Sequence, residues 1–134
     1  MKSGIDIVDD MYTLLNVTEV TSVITGKVYK GTRPDSSDKE DICINALAVT
    51  GRQMQTGIIN VNIHAQNLKL MIGGMADNTK PNNKRLNQIF HIVEPILKDA
   101  MIYSTGTEIQ MVNMIEEKDS HYLNIRVQTY SVNL

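Results

Sequence analysis

The chain has 134 residues, of which 42% are hydrophobic and 21% are charged, a balance that predicts one globular domain with a single core. Its formal net charge of −2 argues against a dedicated polyanion binder, because contact with phosphates needs a cationic surface. No apolar run approaches the ~18 residues of a membrane span, and acids interrupt the N-terminal segment before a signal-like stretch develops. A single cysteine, Cys43, excludes an intramolecular disulfide and fits a reducing cytoplasm.

The N-terminal segment is predicted to contain one helix and one short strand. Apolar residues recur at helical spacing through residues 3–16, which predicts a helix with Ser3 as its N-cap. Residues 17–25 are rich in Thr and Val and favour a loop or a strand, and residues 26–31 predict a short strand between glycines. Residues 32–41 combine Pro, Ser and mixed charges, so we expect an exposed connection that takes no part in the core.

Two strands are predicted in the middle of the chain. Residues 42–50 form an almost continuous run of small apolar residues, typical of a strand covered on both faces or carrying a bulge. Residues 51–57 predict a turn. Residues 59–65 alternate strictly between apolar and polar side chains, which predicts a strand with one buried and one wet face.

A second helix is predicted after a region of turns. Residues 66–80 include a Gly-Gly pair and end in turn-forming residues that also offer a helix start. An apolar stripe runs from residue 86 to residue 100, which predicts one helix bent at Pro95 and closed by Thr105-Gly106.

The C-terminal segment is predicted to form a hairpin. Residues 107–116 favour a strand, residues 117–120 a polar turn, and residues 123–130 a strand with clean alternation. The order α-β-β-β-α-β-β predicts an α+β fold, with a mainly antiparallel sheet of about five strands and two helices packed on one face.

Residue types that could act in catalysis or bind a metal do not form a recognisable motif in the sequence. His64, His91 and His121 fall on different predicted elements without metal-ligand spacing, and there is no nucleophile elbow. His64 lies on the polar side of its strand, so we expect a solvated or interfacial side chain. Cys43 stands between isoleucines and is interpreted as a small buried hydrophobe. We therefore expect no enzymatic activity, no metal and no cofactor.

Methionines recur in the second half of the chain, and two roles fit them. Core filling is the expected role, and an adaptable contact surface is the alternative. The residues concerned are Met71, Met75, Met101, Met111 and Met114.

Four local patterns accompany the predicted order of elements: Gly26-Lys27-Val28-Tyr29 before a loop with Pro34, the strand 42–49, the alternating segment 57–65, and the helix followed by a closing hairpin. Together they resemble the phage tail-completion, or tail terminator, family of long-tailed phages and prophages. Two features depart from the family: Glu40-Asp41 stands where a second proline is common, and His64 replaces a commoner aromatic residue.

This resemblance implies a structural protein that forms a ring, typically a hexamer, on the end of the tail tube. Such a ring ends tail polymerisation and joins the tail to the head connector, so the implied partners are further copies of the chain, the tail tube protein and head-tail connector proteins. The resemblance also implies a ring through which DNA can pass, with no specific binding of nucleic acid. The implied location is the bacterial host cytoplasm during assembly, and then the tail or neck of the virion.

A ring needs a head-to-tail interface that closes, which an antiparallel sheet with a wet polar face and free edges can supply. The candidate subunit interface consists of Asn60, Asn62, His64, Asn124, Arg126, Gln128 and Tyr130. The candidate docking loop, which is expected to order against a partner, contributes Arg33, Asp35, Asp38, Lys39 and Glu40.

Three alternatives remain open at this point. Another head-tail connector or neck protein would share the same structural class. A small ligand-binding or enzymatic α+β domain would place His64 or His121 in a concave pocket with an acidic partner. A nucleic-acid-binding regulator would need a continuous basic patch that includes Lys80, Lys84 and Arg85.

Overall fold

A mainly antiparallel six-stranded sheet organises the α+β fold of the computed structural model, which describes residues 1–132. In chain order the elements are α1 (Gly4–Leu15), α2 (Thr18–Thr21), β1 (Val28–Lys30), β2 (Ile42–Val49), β3 (Met54–Gln66), β4 (Leu70–Ile72), β5 (Met75–Asp77), α3 (Asn83–Leu97), β6 (Met101–Ile102), β7 (Thr105–Glu117) and β8 (Ser120–Val132). The sheet has the order β1-β2-β3-β8-β7-β6, while β4 and β5 form a separate hairpin. Only the β1–β2 pair is parallel among the described strands.

The two long helices begin at side-chain caps that the local sequence provides. Ser3 is the N-cap of α1, as the sequence predicts, and the structure shows that it forms a reciprocal capping box with Asp6. The Asn82 side chain accepts a hydrogen bond from the Arg85 backbone N–H at the start of α3. Both helices are amphipathic, so one stripe of each is free to pack against the sheet.

The core lies between one face of the sheet and the helices α1 and α3. Odd-numbered residues of β3 and β8 point into it, and Ile59, Val61, Ile63, Ile125 and Val127 are fully buried. Alternation over residues 59–65 and 123–130 predicted this face. The placement of both predicted helices on one side of the sheet is confirmed by their shared apolar cluster.

Helix α3 is shorter than its apolar stripe predicts. It ends at Leu97, and Asp99 then adopts φ 52°, a left-handed conformation that a helix does not continue. The Thr107 hydroxyl donates to the Leu97 carbonyl at 2.6 Å and accepts from the Ala100 N–H at 3.0 Å. A residue on a distant strand therefore closes the helix and directs the chain into β6.

Several other predictions about local structure were wrong in detail. Residues 18–21 form a helical turn instead of a loop or strand, β3 already begins at Met54 within the predicted turn, and residues 70–77 form a hairpin. The sheet gains a sixth strand because the two residues of β6 pair with the start of β7. Within the described part of the chain, no helix is long and apolar enough to cross a membrane.

Candidate functional site

The sheet face opposite the helices carries every residue of the predicted subunit interface. We call this surface, formed by the even-numbered residues of β3 and β8, the open face. Asn60 lies opposite Arg126, and Asn62 lies opposite Asn124 in the register of the two strands. His64, Gln128 and Tyr130 belong to the same face, as the sequence alternation predicted.

Asparagine side chains form a hydrogen-bonded network across the centre of the open face. The Asn124 amide donates to the side-chain oxygens of Asn62 at 2.7 Å and Asn60 at 3.1 Å. Asn60 in turn donates to the Asn45 side chain at 3.2 Å. Since these amides bond to one another, they hold fixed positions and present a polar surface without charge.

Arg126 adds a cation beside this network. Its Nε atom is buried and has no hydrogen-bond partner among the described residues. The side chain as a whole is only partly buried, so the rest of its guanidinium is accessible to a carboxylate at the open face. The side chain is thus suited to contact an acidic group on another molecule.

His64 is buried, which corrects the expectation of a solvated side chain. It is 6% exposed, its ring centroid lies 4.8 Å from that of Tyr122, and its Nδ1 atom has no partner among the described residues. Burial and then the Arg33 cation lower the pKa of His64 to about 4, against the opposing effect of Asp41. The imidazole is therefore neutral near pH 7.

A concave pocket of about 650 Å³ lies at this end of the open face, between the loop after β1 and the β7–β8 turn. It is lined by the loop after β1, by β2 and β3, and by the β7–β8 turn with the start of β8, and the lining residues include Arg33, Asp35, Asp38, Asn62, His64 and Glu117. The candidate docking loop thus covers one end of the open face instead of standing apart from it.

The predicted docking loop is pinned at Asp41, although no core role was expected for this segment. The Asp41 side chain is 1% exposed and accepts hydrogen bonds from the Lys27 N–H at 3.1 Å and the Ser37 hydroxyl at 2.6 Å. Arg33 lies 3.5 Å from its second oxygen. Arg33 is therefore engaged within the chain, whereas Asp35, another loop residue, is exposed.

Glu40 is also engaged within the chain. Both of its carboxylate oxygens accept from the Arg85 guanidinium at the start of α3, which raises the pKa of Arg85, and its backbone N–H donates to Thr25. Among the predicted docking residues, Asp38 and Lys39 remain exposed. The pairing of Arg85 with Glu40, and of Lys80 with Asp77 at 3.6 Å, removes two members of the basic patch that nucleic-acid binding would need.

Exposed apolar side chains mark two further surfaces, in agreement with the alternative role of the methionines as contact residues. The expectation of core filling by methionine is wrong: Met71, Met75, Met101, Met111 and Met114 are all exposed. The first surface is the β4–β5 hairpin. The sequence indicates this hairpin, because Gly73-Gly74 between apolar segments is typical of a tight turn, and both glycines have positive φ. The second surface lies on β7, where imperfect alternation concealed it.

Both borders of the sheet are partly free. On one side β6 pairs only with Thr105 and Gly106, so the outer edge of β7 beyond them has no pairing strand among the described residues. On the other side β1 covers only the start of β2, and Leu47 is exposed at a bulge farther along. Free edges of this kind accept additional strands through their backbone groups.

Of the remaining histidines and the cysteine, His121 and Cys43 are buried and His91 is exposed. His121 bonds to the Asn67 side chain at 2.6 Å, and His91 lies edge-on against Phe90. Burial raises the pKa of Cys43 to about 11, so its thiol is a poor nucleophile. Among residues 1–132, no group of His, Cys, Asp and Glu side chains converges as a metal site would require.

Comparisons with known proteins do not assign the chain to a family. No protein-family model matches it, and no significantly similar sequence occurs among curated proteins.

Proposed function

We propose that this protein is a structural subunit of a phage or prophage tail, which assembles head to tail into a ring that completes the tail tube. The observation that carries the proposal is the presence of two unlike, partly free sheet borders on one molecule. When two copies join through unlike surfaces, each end of the assembly still has one unused surface. Further copies therefore add in the same way until the rotation between neighbours closes a ring. The resemblance in sequence supplies the biological setting of such a ring.

The open face supports this role because it is polar, preorganised and mostly uncharged. In a ring on the tail tube, it would meet the tube protein or a head-tail connector protein, with Arg126 contacting an acidic side chain of the partner. The net negative charge of the chain suits a passage for DNA, since the 15 acidic residues outnumber the 13 Lys and Arg residues that could hold phosphates. The subunit would assemble in the host cytoplasm and remain in the tail or neck of the virion.

The test is the state of assembly of the full chain. Light scattering over a range of protein concentrations should give a defined oligomer, typically a hexamer, and electron microscopy should show closed rings that bind the ends of tail tubes. A monomer at high concentration that also fails to bind tail tubes would contradict the proposal. The position of the ring in assembled particles distinguishes a tail terminator from another neck protein.

A second candidate function, a small-ligand-binding domain, is favoured by the pocket around His64. The neutral imidazole lies there with the carboxylates of Asp35 and Asp38 among the lining residues. A thermal-shift screen with amino acids, sugars and nucleotides tests it, with His64→Gln as the control. A ligand that stabilises the wild type, but not the variant, would favour this function over ring assembly.

A further inference from the structure

The β4–β5 hairpin projects from the domain as a short arm with an apolar tip. Its base is fixed, because Asn67 donates to the Asn78 carbonyl at 2.8 Å and Leu68 donates to the Lys80 carbonyl at 2.9 Å. Beyond this base the two strands pair with each other, and Met71 and Met75 are 70% and 74% exposed. Ile72 between them is also exposed. A hairpin with a fixed base that holds apolar side chains in water is typical of a contact element.

The outer edge of β7 is a second apolar surface on the same chain. Met111, Val112, Met114 and Ile115 are all exposed there. Because successive side chains of a strand alternate, these apolar residues lie on both faces of β7 beyond the bulge between Ile109 and Met111. Proteins usually protect a long free edge with charges or prolines. The apolar stretch of this edge has neither, which favours a protein partner over solvent.

Charge supports a match between the two surfaces. The described part of β7 carries Glu108, Glu116 and Glu117 and no Lys or Arg. On the arm, the carboxylate of Asp77 is paired with Lys80, and Lys69, just before β4, is a further exposed cation at the arm base. An apolar arm with a cation at its base is complementary to an apolar edge with flanking acids.

We propose that the arm of one copy docks against the outer edge of β7 on the next copy, and that this contact builds the ring. The inference rests on the proposed function and names one head-to-tail contact for it, in which the arm meets one of the two partly free sheet borders. Within one chain the arm does not cover the outer edge of β7, because the apolar side chains of both are exposed. The Asn67 N–H bond to the Asp119 carbonyl at 3.2 Å also ties the arm base to the β7–β8 turn. The occupant is therefore a second copy of the chain. Every copy therefore offers one arm and one edge.

Cross-linking between two single-cysteine variants tests the contact directly. Met75→Cys and Met111→Cys proteins, one of them carrying a size tag, are mixed and oxidised with copper phenanthroline. Docking brings the arm and the edge within the reach of a disulfide, so a mixed dimer should form rapidly. Cys43 gives little background because it is buried with a raised pKa. Met101→Cys, at an equally exposed methionine outside both surfaces, is the matched control and should link to Met111→Cys at least tenfold more slowly.

Self-association of substituted proteins in solution distinguishes failure of the arm contact from failure of the ring. The double variant Met71→Ser/Met75→Ser should weaken self-association about tenfold or more, since central apolar contacts dominate interface energies, whereas Met101→Ser should not. Rings that persist in the double variant, with no preferential cross-link, would overturn the arm contact and leave the proposed function standing. Preferential cross-linking in a particle that stops at a reciprocal dimer would support the contact and contradict the ring.

Discussion

Replacing Asp41 should release the loop that covers one end of the open face. Its buried carboxylate accepts from the Lys27 N–H and the Ser37 hydroxyl and lies 3.5 Å from Arg33. Asp41→Ala removes both acceptors and leaves the largely buried Arg33 without its counter-charge. Asp41→Asn keeps the shape and one acceptor oxygen, but turns an NH2 group toward Ser37 and Arg33.

The magnitude follows from these partners. Loss of one member of a buried ion pair costs about 3–5 kcal/mol. Two hydrogen bonds to a charged acceptor contribute about 1.5–3 kcal/mol each, and their sum is of similar size to the cost of the lost ion pair. We therefore expect Asp41→Ala to lower the free energy of unfolding by about 3–5 kcal/mol. Asp41→Asn, which retains the Lys27 hydrogen bond, should cost about 1–2 kcal/mol.

Urea unfolding followed by far-ultraviolet circular dichroism measures this loss, because the chain has no Trp for fluorescence. The matched control is Asp38→Ala, an exposed acid of the same loop, which should stay within about 0.5 kcal/mol of the wild type. The reasoning is refuted if Asp41→Ala costs less than about 1 kcal/mol, or if the two alanine variants are equally stable.

Three further predictions concern other buried groups. Burial, with the Arg33 cation, lowers the pKa of His64 from 6.5 to about 4, so the unfolded chain binds the extra proton and the free energy of unfolding should fall as pH drops through this window. In urea titrations, His64→Gln should remove the contribution of His64 to the dependence of the free energy of unfolding on pH. An unchanged pH dependence in this variant would contradict the prediction. In Gly26→Ala, the added methyl group would overlap the Asp41 carboxylate, so a loss of about 2–3 kcal/mol is expected in the same assay, and a neutral effect would be inconsistent with the packing. Cys43 should resist a thiol reagent at pH 7.5 until the protein is unfolded, because burial raises its pKa to about 11; rapid labelling of the native protein would disprove this.

Several elements of the fold could be predicted because the signal that defines them is local. Ser3 and the stripe behind it define α1, and strict alternation in residues 59–65 assigns each side chain of β3 to a face. The same pattern placed Asn62 and Asn124 on one shared surface. Neither inference needs to know what covers the element, since helical and strand periods are properties of the backbone.

The error at His64 has a different origin. Alternation places this residue on the polar face, yet the side chain is 6% exposed because the loop after β1 and Tyr122 cover that end of the sheet. Asp41 is buried for the same reason, although it belongs to a segment without a core pattern. Periodicity identifies the residues that share a face, but it carries no information about a distant loop that folds onto it.

The methionines of the arm and of β7 also show that the sequence pattern does not reveal which side chains are covered: they are apolar but exposed, whereas His64 is polar but buried. By itself the sequence determined the two amphipathic helices, the alternating strands and the polar composition of the open face, since each depends on neighbours within a few residues. Only the tertiary structure decided that Met75 and Met111 remain in water, that β6 is too short to cover β7, and that the arm stands free. Burial and edge pairing are set by contacts between residues far apart in the chain, and hydrophobicity alone does not state which apolar side chains those contacts will cover.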